Sequence, residues 1–326
     1  MDIVSMNMST GRVRWTLNAK PPLPSPALAP CERTWSPKGL MTAMRSVAKH
    51  VDVKCQCGRT TRGECFGRRC DLSELLPDAM PHLLRQEEYT AAWRRIQQDS
   101  PRWTSPSAAF NVRAAQSNVS FFAQMVTDLH LFMAFFSMPV KTGGTFVELG
   151  ATDGIFGSNT LFFEMHLGWS GVLIEPTPLG GCVLPRTRPN ARAIHAATCV
   201  EPGQIQPCDS RGATSTGGFC NSATIMGQTC ASVSRRVAVP CLPMATHLSD
   251  LHEVNLMVID VENAHWHVLL SLPWERLRID VILIECSGLK MCMANLKTKG
   301  YRCFDHNDGN PLGDLLCVRR ACLRNE

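Results

Sequence analysis

The sequence predicts an α/β protein: a mostly parallel β-sheet with helices on both faces, behind a cysteine-containing N-terminal extension. Three observations predict it. Apolar runs that are continuous, not alternating, recur between helical stretches in the C-terminal two-thirds of the 326 residues: TFVEL (145–149), GVLIE (171–175), ARAIHAA (191–197), LMVIDV (256–261) and DVILIE (280–285). Such runs suit strands buried on both faces, which is the habit of parallel sheets. The last two runs, YRCF (301–304) and LLCVRR (315–320), are separated only by DHNDGNPLGD. That connection is too short for a helical crossover, so it predicts an antiparallel hairpin closing the sheet. Finally, TFVEL passes directly into the glycine-spaced turn Gly150–Gly154 and then into a new apolar pattern after Ser158-Asn159. Strand, tight turn and helix start are how a nucleotide-like ligand is usually held.

Before this unit, residues 1–40 are proline-rich, low in aliphatics and without periodicity, which predicts disorder. Residues 41–117 are expected to form an extension with a cysteine cluster and helices, one of them near Glu87–Gln98, ending by Ser100-Pro101. The main domain is expected to span residues 118–326. Within it Phe121, Met125, Leu129, Phe132 and Phe136 recur at helical spacing, predicting an amphipathic helix that runs into Gly143-Gly144. The same stretch contains Gln124, Asp128 and His130, so it reads as a buried or half-buried helix and not as a transmembrane one.

Hydrophobic residues make up 44% and charged residues 19%, enough apolar material for a core. The net charge of +5 is uneven: residues 1–112 carry 16 Lys/Arg against 10 Asp/Glu, and the remainder 17 against 18. With few aromatics among these charges, the basic surplus reads as a solvated surface, and no nucleic-acid partner is expected. Sixteen cysteines are many for a cytosolic enzyme. Cys286, Cys303 and Cys317 lie in or beside strand-like runs and are expected to be buried free thiols. Cys199, Cys208, Cys220, Cys230 and Cys241 punctuate a Ser/Thr/Gly-rich loop and suit local disulfides, with the loop from Cys199 to Pro240 as a pinned lid. Cys55, Cys57, Cys65 and Cys70 lack the paired spacing of a zinc knuckle, leaving disulfides, free thiols and zinc all open. A basic leader with an apolar core is not seen in the first thirty residues, and a secretory lumen and the cytoplasm both fit.

GGTFVELGATDGIFGSNTLFFEMHLGWSGVLIEPTP (143–178) resembles the opening of the FkbM-type methyltransferase domain, and the likeness continues through VPCLPMATHL, VNLMVIDVENAHWHVLLSL and IDVILIE, covering roughly residues 118–320. The resemblance implies a class I methyltransferase, Rossmann-like, with seven mostly parallel strands and an antiparallel last strand. It also implies S-adenosylmethionine as cofactor and a small-molecule acceptor, a hydroxyl of a sugar or metabolite.

Glu148, Gly150, Ala151, Asp153 and Gly154 form the first candidate cofactor motif. It departs from GxGxxG because Thr152 occupies a glycine position, which favours an amino-acid end and a sulfonium over pyrophosphate. Glu148 is expected to complement the cationic end, while Ser158 and Asn159 cap the next helix or reach the carboxylate. Glu175, ending the second run, can accept both ribose hydroxyls. Ala196 is expected to offer main chain to the adenine edge, with His195 beside it as a core histidine.

Asp260 and Glu262 follow the fourth run. By resemblance the family carries Asp-x-Glu-Gly here, with an acid two positions after the glycine; this chain has Asn263 and His265. Asn tolerates the left-handed backbone a turn needs. An aliphatic hydroxyl needs a proton acceptor within reach, so Asp260 is the expected acceptor-orienting or basic group, Glu262 its support and His265 the alternative base. No metal is assigned, despite His265 and His267 lying close by. The departures at 263 and 265 also allow a cofactor-binding chain with weak catalysis, acting as an interaction protein.

Overall fold

The computed structural model describes residues 3–7, 12–15, 31–59, 65–71, 118–155, 157–205, 238–261, 264–286 and 288–324. Side chains in 3–15, 48–71 and 118–120 are outside that description. The expected helix near Glu87–Gln98 and most of the lid loop also lie outside it. The strands in chain order are β1 (Ile3–Asn7), β2 (Arg12–Trp15), β3 (Cys55–Arg59), β4 (Cys65–Asp71), β5 (Asn118–Phe121), β6 (Thr145–Leu149), β7 (Ser170–Ile174), β8 (Ala191–Ile194), β9 (Ala197–Thr198), β10 (Gly203–Ile205), β11 (Val239–Leu242), β12 (Glu253–Ile259), β13 (Arg278–Ile284), β14 (Tyr301–Phe304) and β15 (Leu315–Arg319). The helices are α1 (Pro37–Lys54), α2 (Thr127–Leu131, continued by a π turn Phe132–Phe136), α3 (Leu161–Leu167), α4 (Pro178–Thr187), α5 (Met244–His247), α6 (His265–Ser271) and α7 (Leu289–Thr298).

Seven strands form the central sheet in the order β14-β15-β13-β12-β6-β7-β8. Strands β8, β7, β6, β12 and β13 run parallel, and β15 is antiparallel to both β13 and β14. This is the class I methyltransferase order, with the hairpin expected from the short connection at 305–314.

Alternate residues along each strand enter two cores, as the period of two requires. Phe146, Leu173, Leu256, Val258, Val281 and Leu283 pack on one face with α1, α2 and α3. Val147, Val172, Met257, Ile259, Ile282 and Ile284 pack on the other with α5, α6 and α7. Both faces are covered, which explains why these strands read as continuous apolar runs.

Three expectations are corrected. First, ordered structure begins before residue 41: α1 starts at Pro37 inside the stretch expected to be disordered. Leu40, Met41, Met44 and Val47 of α1 are buried in the first core, and Cys31 is bridged to Cys322. Trp35 packs edge-on against Phe135 at 5.1 Å. Residues of α1 thus share a core with residues beyond 118. Second, the helix expected from Phe121 starts only at Thr127. The Asp128 carboxylate accepts from the backbone N–H groups of Phe122, Ala123 and Leu129, which holds 122–126 in a turn. Val126 sits at φ 49, and Pro139 follows soon after the π turn. Met125, placed on the apolar face by its spacing, is exposed. Third, Cys303 is bridged to Cys317 and Cys286 to Cys292, so these are not free thiols. Residues 303 and 317 face each other across the β14–β15 pair, which brings their side chains together. The bridge expected in the loop is present as Cys199–Cys241; Cys208, Cys220 and Cys230 lie outside the described residues. Among the described residues no helix is long and apolar enough to cross a membrane.

Candidate active site

The carboxyl ends of β6, β7, β8 and β12 bring most of the candidate residues together. Gly150 follows β6 at φ +79, and a Cβ there would lie 1.7 Å from the Asp260 carbonyl oxygen. Only glycine allows the two strand ends to approach this closely. Strand spacing is carried into the turn by hydrogen bonds from Gly150 N to Ile174 O (3.0 Å) and from Asp260 N to Leu149 O (3.2 Å). Ala151 is buried, Thr152 takes φ 47, and Gly154 closes the turn by donating to Ala151 O at 2.7 Å. The Asp153 carboxylate accepts from Ile155 N at 2.8 Å.

Glu148 is buried beneath this turn. One oxygen accepts from Asn159 N (2.7 Å), and the other from the Ser158 (2.9 Å) and Thr160 (2.6 Å) hydroxyls. Ser158 Oγ in turn accepts from Leu161 N at 3.1 Å, serving the start of α3. The N-cap of α3 is Thr160, without a side-chain cap bond, so Ser158 serves the turn just before the helix and is not its cap, while Asn159 contributes its backbone N–H.

A residue that sequence reasoning passed over organises the loop. Arg188, at the end of α4, is fully buried. Its Nε donates to Glu164 (2.6 Å), Nη1 to Gly154 O (3.0 Å) and Ser158 Oγ (3.0 Å), and Nη2 to Thr160 Oγ1 (2.9 Å). Nη1 also lies 3.6 Å from the Glu148 carboxylate, and the guanidinium stands 5.3 Å from the Phe146 ring. Planar, many-donor geometry makes arginine suited to such a junction. A Cβ on Gly154 would meet the Arg188 side chain at 2.7 Å, so this glycine is needed for packing as well as for its φ of +80.

Glu175 ends β7 and is buried, with one oxygen accepting from Thr152 N and the other from Thr177 N, each at 2.9 Å. Desolvation pushes its pKa above the usual carboxylate range against the lowering effect of these hydrogen bonds. The Thr177 side chain hydrogen-bonds the same carboxylate. Ala196 is buried beside it. His195, expected in the core, is exposed, because the chain leaves the sheet at Ile194.

Asp260 is exposed at the end of β12. Glu262 and Asn263 lie outside the described residues. His265 opens α6 and is only 1% exposed, whereas His267 is exposed and Trp266 half-buried. Ligand atoms of His265, Cys286 and Cys292 fall within 4.8 Å of one another, as do those of Cys31, Asp280 and Cys322. In each group the two cysteines are joined as a disulfide, so neither offers the thiolates a metal requires.

Residues 148–303 match the family described as Methyltransferase FkbM domain. No curated protein matches the chain. Similar solved structures include precorrin-6y C5,15-methyltransferase from Geobacter metallireducens GS-15, 12% identical over 56% of this chain and 73% of that one (TM-score 0.31). A putative RNA methyltransferase from Pyrococcus horikoshii is 9% identical over 57% and 73% (TM-score 0.30). A SAM-dependent methyltransferase from Geobacter sulfurreducens, solved with S-adenosyl-L-homocysteine, is 11% identical over 52% and 61% (TM-score 0.26). At such scores the fold assignment rests on the strand order described above.

Proposed function

We propose, from the methyltransferase FkbM domain at residues 148–303, that the chain is an S-adenosylmethionine-dependent O-methyltransferase acting on a hydroxyl of a sugar or other small metabolite. The family match is the observation that carries this reading. The residues at the strand ends fit the cofactor. Glu175 presents a carboxylate at the strand end for a ribose diol, and Gly150 and Gly154 let the turn pack against Asp260 and Arg188, where a Cβ would collide. Glu148 and Glu164 share the single Arg188 guanidinium, a carboxylate-rich base for the loop that would hold the cationic end. The chemistry that S-adenosylmethionine supplies when bound is an electrophilic methyl group on a sulfonium.

The rest falls to the protein. Gly150, Ala151, Asp153 and Gly154 shape the amino-acid end of the pocket, with Ser158 and Asn159 holding the loop through Glu148. Glu175 orients the ribose and Ala196 borders the adenine. Asp260 would accept a hydrogen bond from the acceptor hydroxyl, align its oxygen and hold the proton that the hydroxyl gives up. Glu262 supports it. Burial of His265 favours Asp260 over the imidazole as the base.

The test is transfer of labelled methyl from S-adenosylmethionine into a carbohydrate and small-metabolite extract. Labelled O-methyl product is expected, and Asp260→Asn should reduce it by roughly 10²–10⁴-fold, the usual worth of a general base. Unlabelled extract, with intact cofactor binding, would favour the second reading, a cofactor-holding interaction protein of weak catalysis. The buried imidazole at 265, where the family has an acid, is the observation in its favour.

A further inference from the structure

The turn that carries Glu175 is held from its far side by a residue outside the candidate set. His195 Nε2 lies 3.2 Å from the Pro176 carbonyl oxygen, which can only accept, so the nitrogen is the donor. The ring lies against Gly181 in α4, where a Cβ would stand 2.3 Å from its Cγ and 2.5 Å from Nδ1. A second glycine does the same for the carboxylate, since a Cβ on Gly180 would be 2.0 Å from Glu175 Cγ. The pair Gly180-Gly181 thus admits Glu175 on one side and His195 on the other. The backbone joins them too, with Glu175 N donating to Ile194 O at 3.1 Å.

We propose that His195 is a positioning residue for cofactor binding: its imidazole clamps the Pro176 carbonyl and thereby fixes the Glu175 carboxylate for a ribose diol. The proposal rests on the S-adenosylmethionine reading above. His195 is exposed, yet its ring is seated on Gly181, which leaves the Pro176 carbonyl as its hydrogen-bond partner. One hydrogen bond at a turn sets the scale of the effect.

The test is calorimetric titration of the full chain with S-adenosylhomocysteine, using His195→Ala, His195→Asn, Gly181→Ala, Glu175→Gln and the His195→Ala/Glu175→Gln double variant. His195→Ala should weaken binding roughly three- to tenfold, the net worth of one hydrogen bond. His195→Asn, whose amide can still donate to the carbonyl, should recover part of it, and Gly181→Ala, which crowds the ring, should weaken binding in the same sense. Because His195 acts through Glu175, the double variant should bind no worse than Glu175→Gln alone. Where wild type binds and His195→Ala binds equally well, or where the two effects simply add, the clamp is refuted. Failure of wild type itself to bind refutes the cofactor reading and the clamp with it.

Discussion

At the scale of single residues, the chemistry at the strand ends is governed by burial. Arg188 is surrounded by acceptors from β6, the glycine turn and α3, and removing it would leave Glu148 and Glu164 as buried charges without their guanidinium. Arg188→Met is therefore expected to destabilise the fold by about 3–5 kcal/mol in chemical denaturation, the usual cost of breaking a buried pair from one side. Nothing local in PRTRPN marks Arg188 apart from its neighbours Arg186 and Arg192; its partners lie 24 to 40 positions upstream, beyond any spacing rule. The position of Glu175, in contrast, was legible: it directly follows the second strand of the sheet, as the apolar run implied. Its raised pKa gives a sign. A proton on Glu175 turns one acceptor oxygen into a donor, so cofactor affinity should fall on acidification, beginning above the ordinary carboxylate range. Glu175→Gln should flatten that dependence. Asp128 offers a separate check, since burial pushes it up to about 7. The folded state then holds this proton more tightly than the unfolded chain. Its contribution to stability is present below about pH 4 and lost as pH rises to about 7, by up to about 4 kcal/mol. The stability difference between wild type and Asp128→Asn should change in that window.

At the scale of elements, the sheet was legible because parallel strands buried on both faces leave apolar runs that no surface helix would carry. The hairpin of β14 and β15 was legible from the length of its connection. What escaped was structure set by distant contacts. Helix α2 reads from 121 by periodicity, yet Asp128 captures the preceding N–H groups and delays it to 127. The disulfide of Cys303 with Cys317 follows once the two strands are paired in register, but neither cysteine announces it alone. The apolar positions 40, 41, 44 and 47 have helical spacing, but they straddle the boundary drawn at residue 40 between the stretch expected to be disordered and the extension. Since Met44 is fully buried in the first core, Met44→Ala should cost about 2–5 kcal/mol by thermal or denaturant unfolding, as core truncations do. A value near zero would mean that α1 is an appendage.

At the scale of the whole molecule, four disulfides among the described residues tie the chain together, and Cys31–Cys322 spans a sequence separation of 291. Bridges of this kind form and persist in oxidising compartments. Peptide mapping without reductant is expected to recover all four linked pairs, and opening Cys31–Cys322 by a double Cys→Ser change should cost about 2–5 kcal/mol. Sixteen cysteines suggested some bridges, but their partners needed the fold. We propose that this sheet, with Glu175 and the Gly150–Gly154 turn at the carboxyl ends of β7 and β6, holds S-adenosylmethionine and not a dinucleotide. Calorimetry of the full chain against S-adenosylhomocysteine and NAD tests it most directly. Binding of S-adenosylhomocysteine, weakened by Glu175→Gln, and no heat with NAD are expected; binding of NAD without S-adenosylhomocysteine would contradict the cofactor assignment.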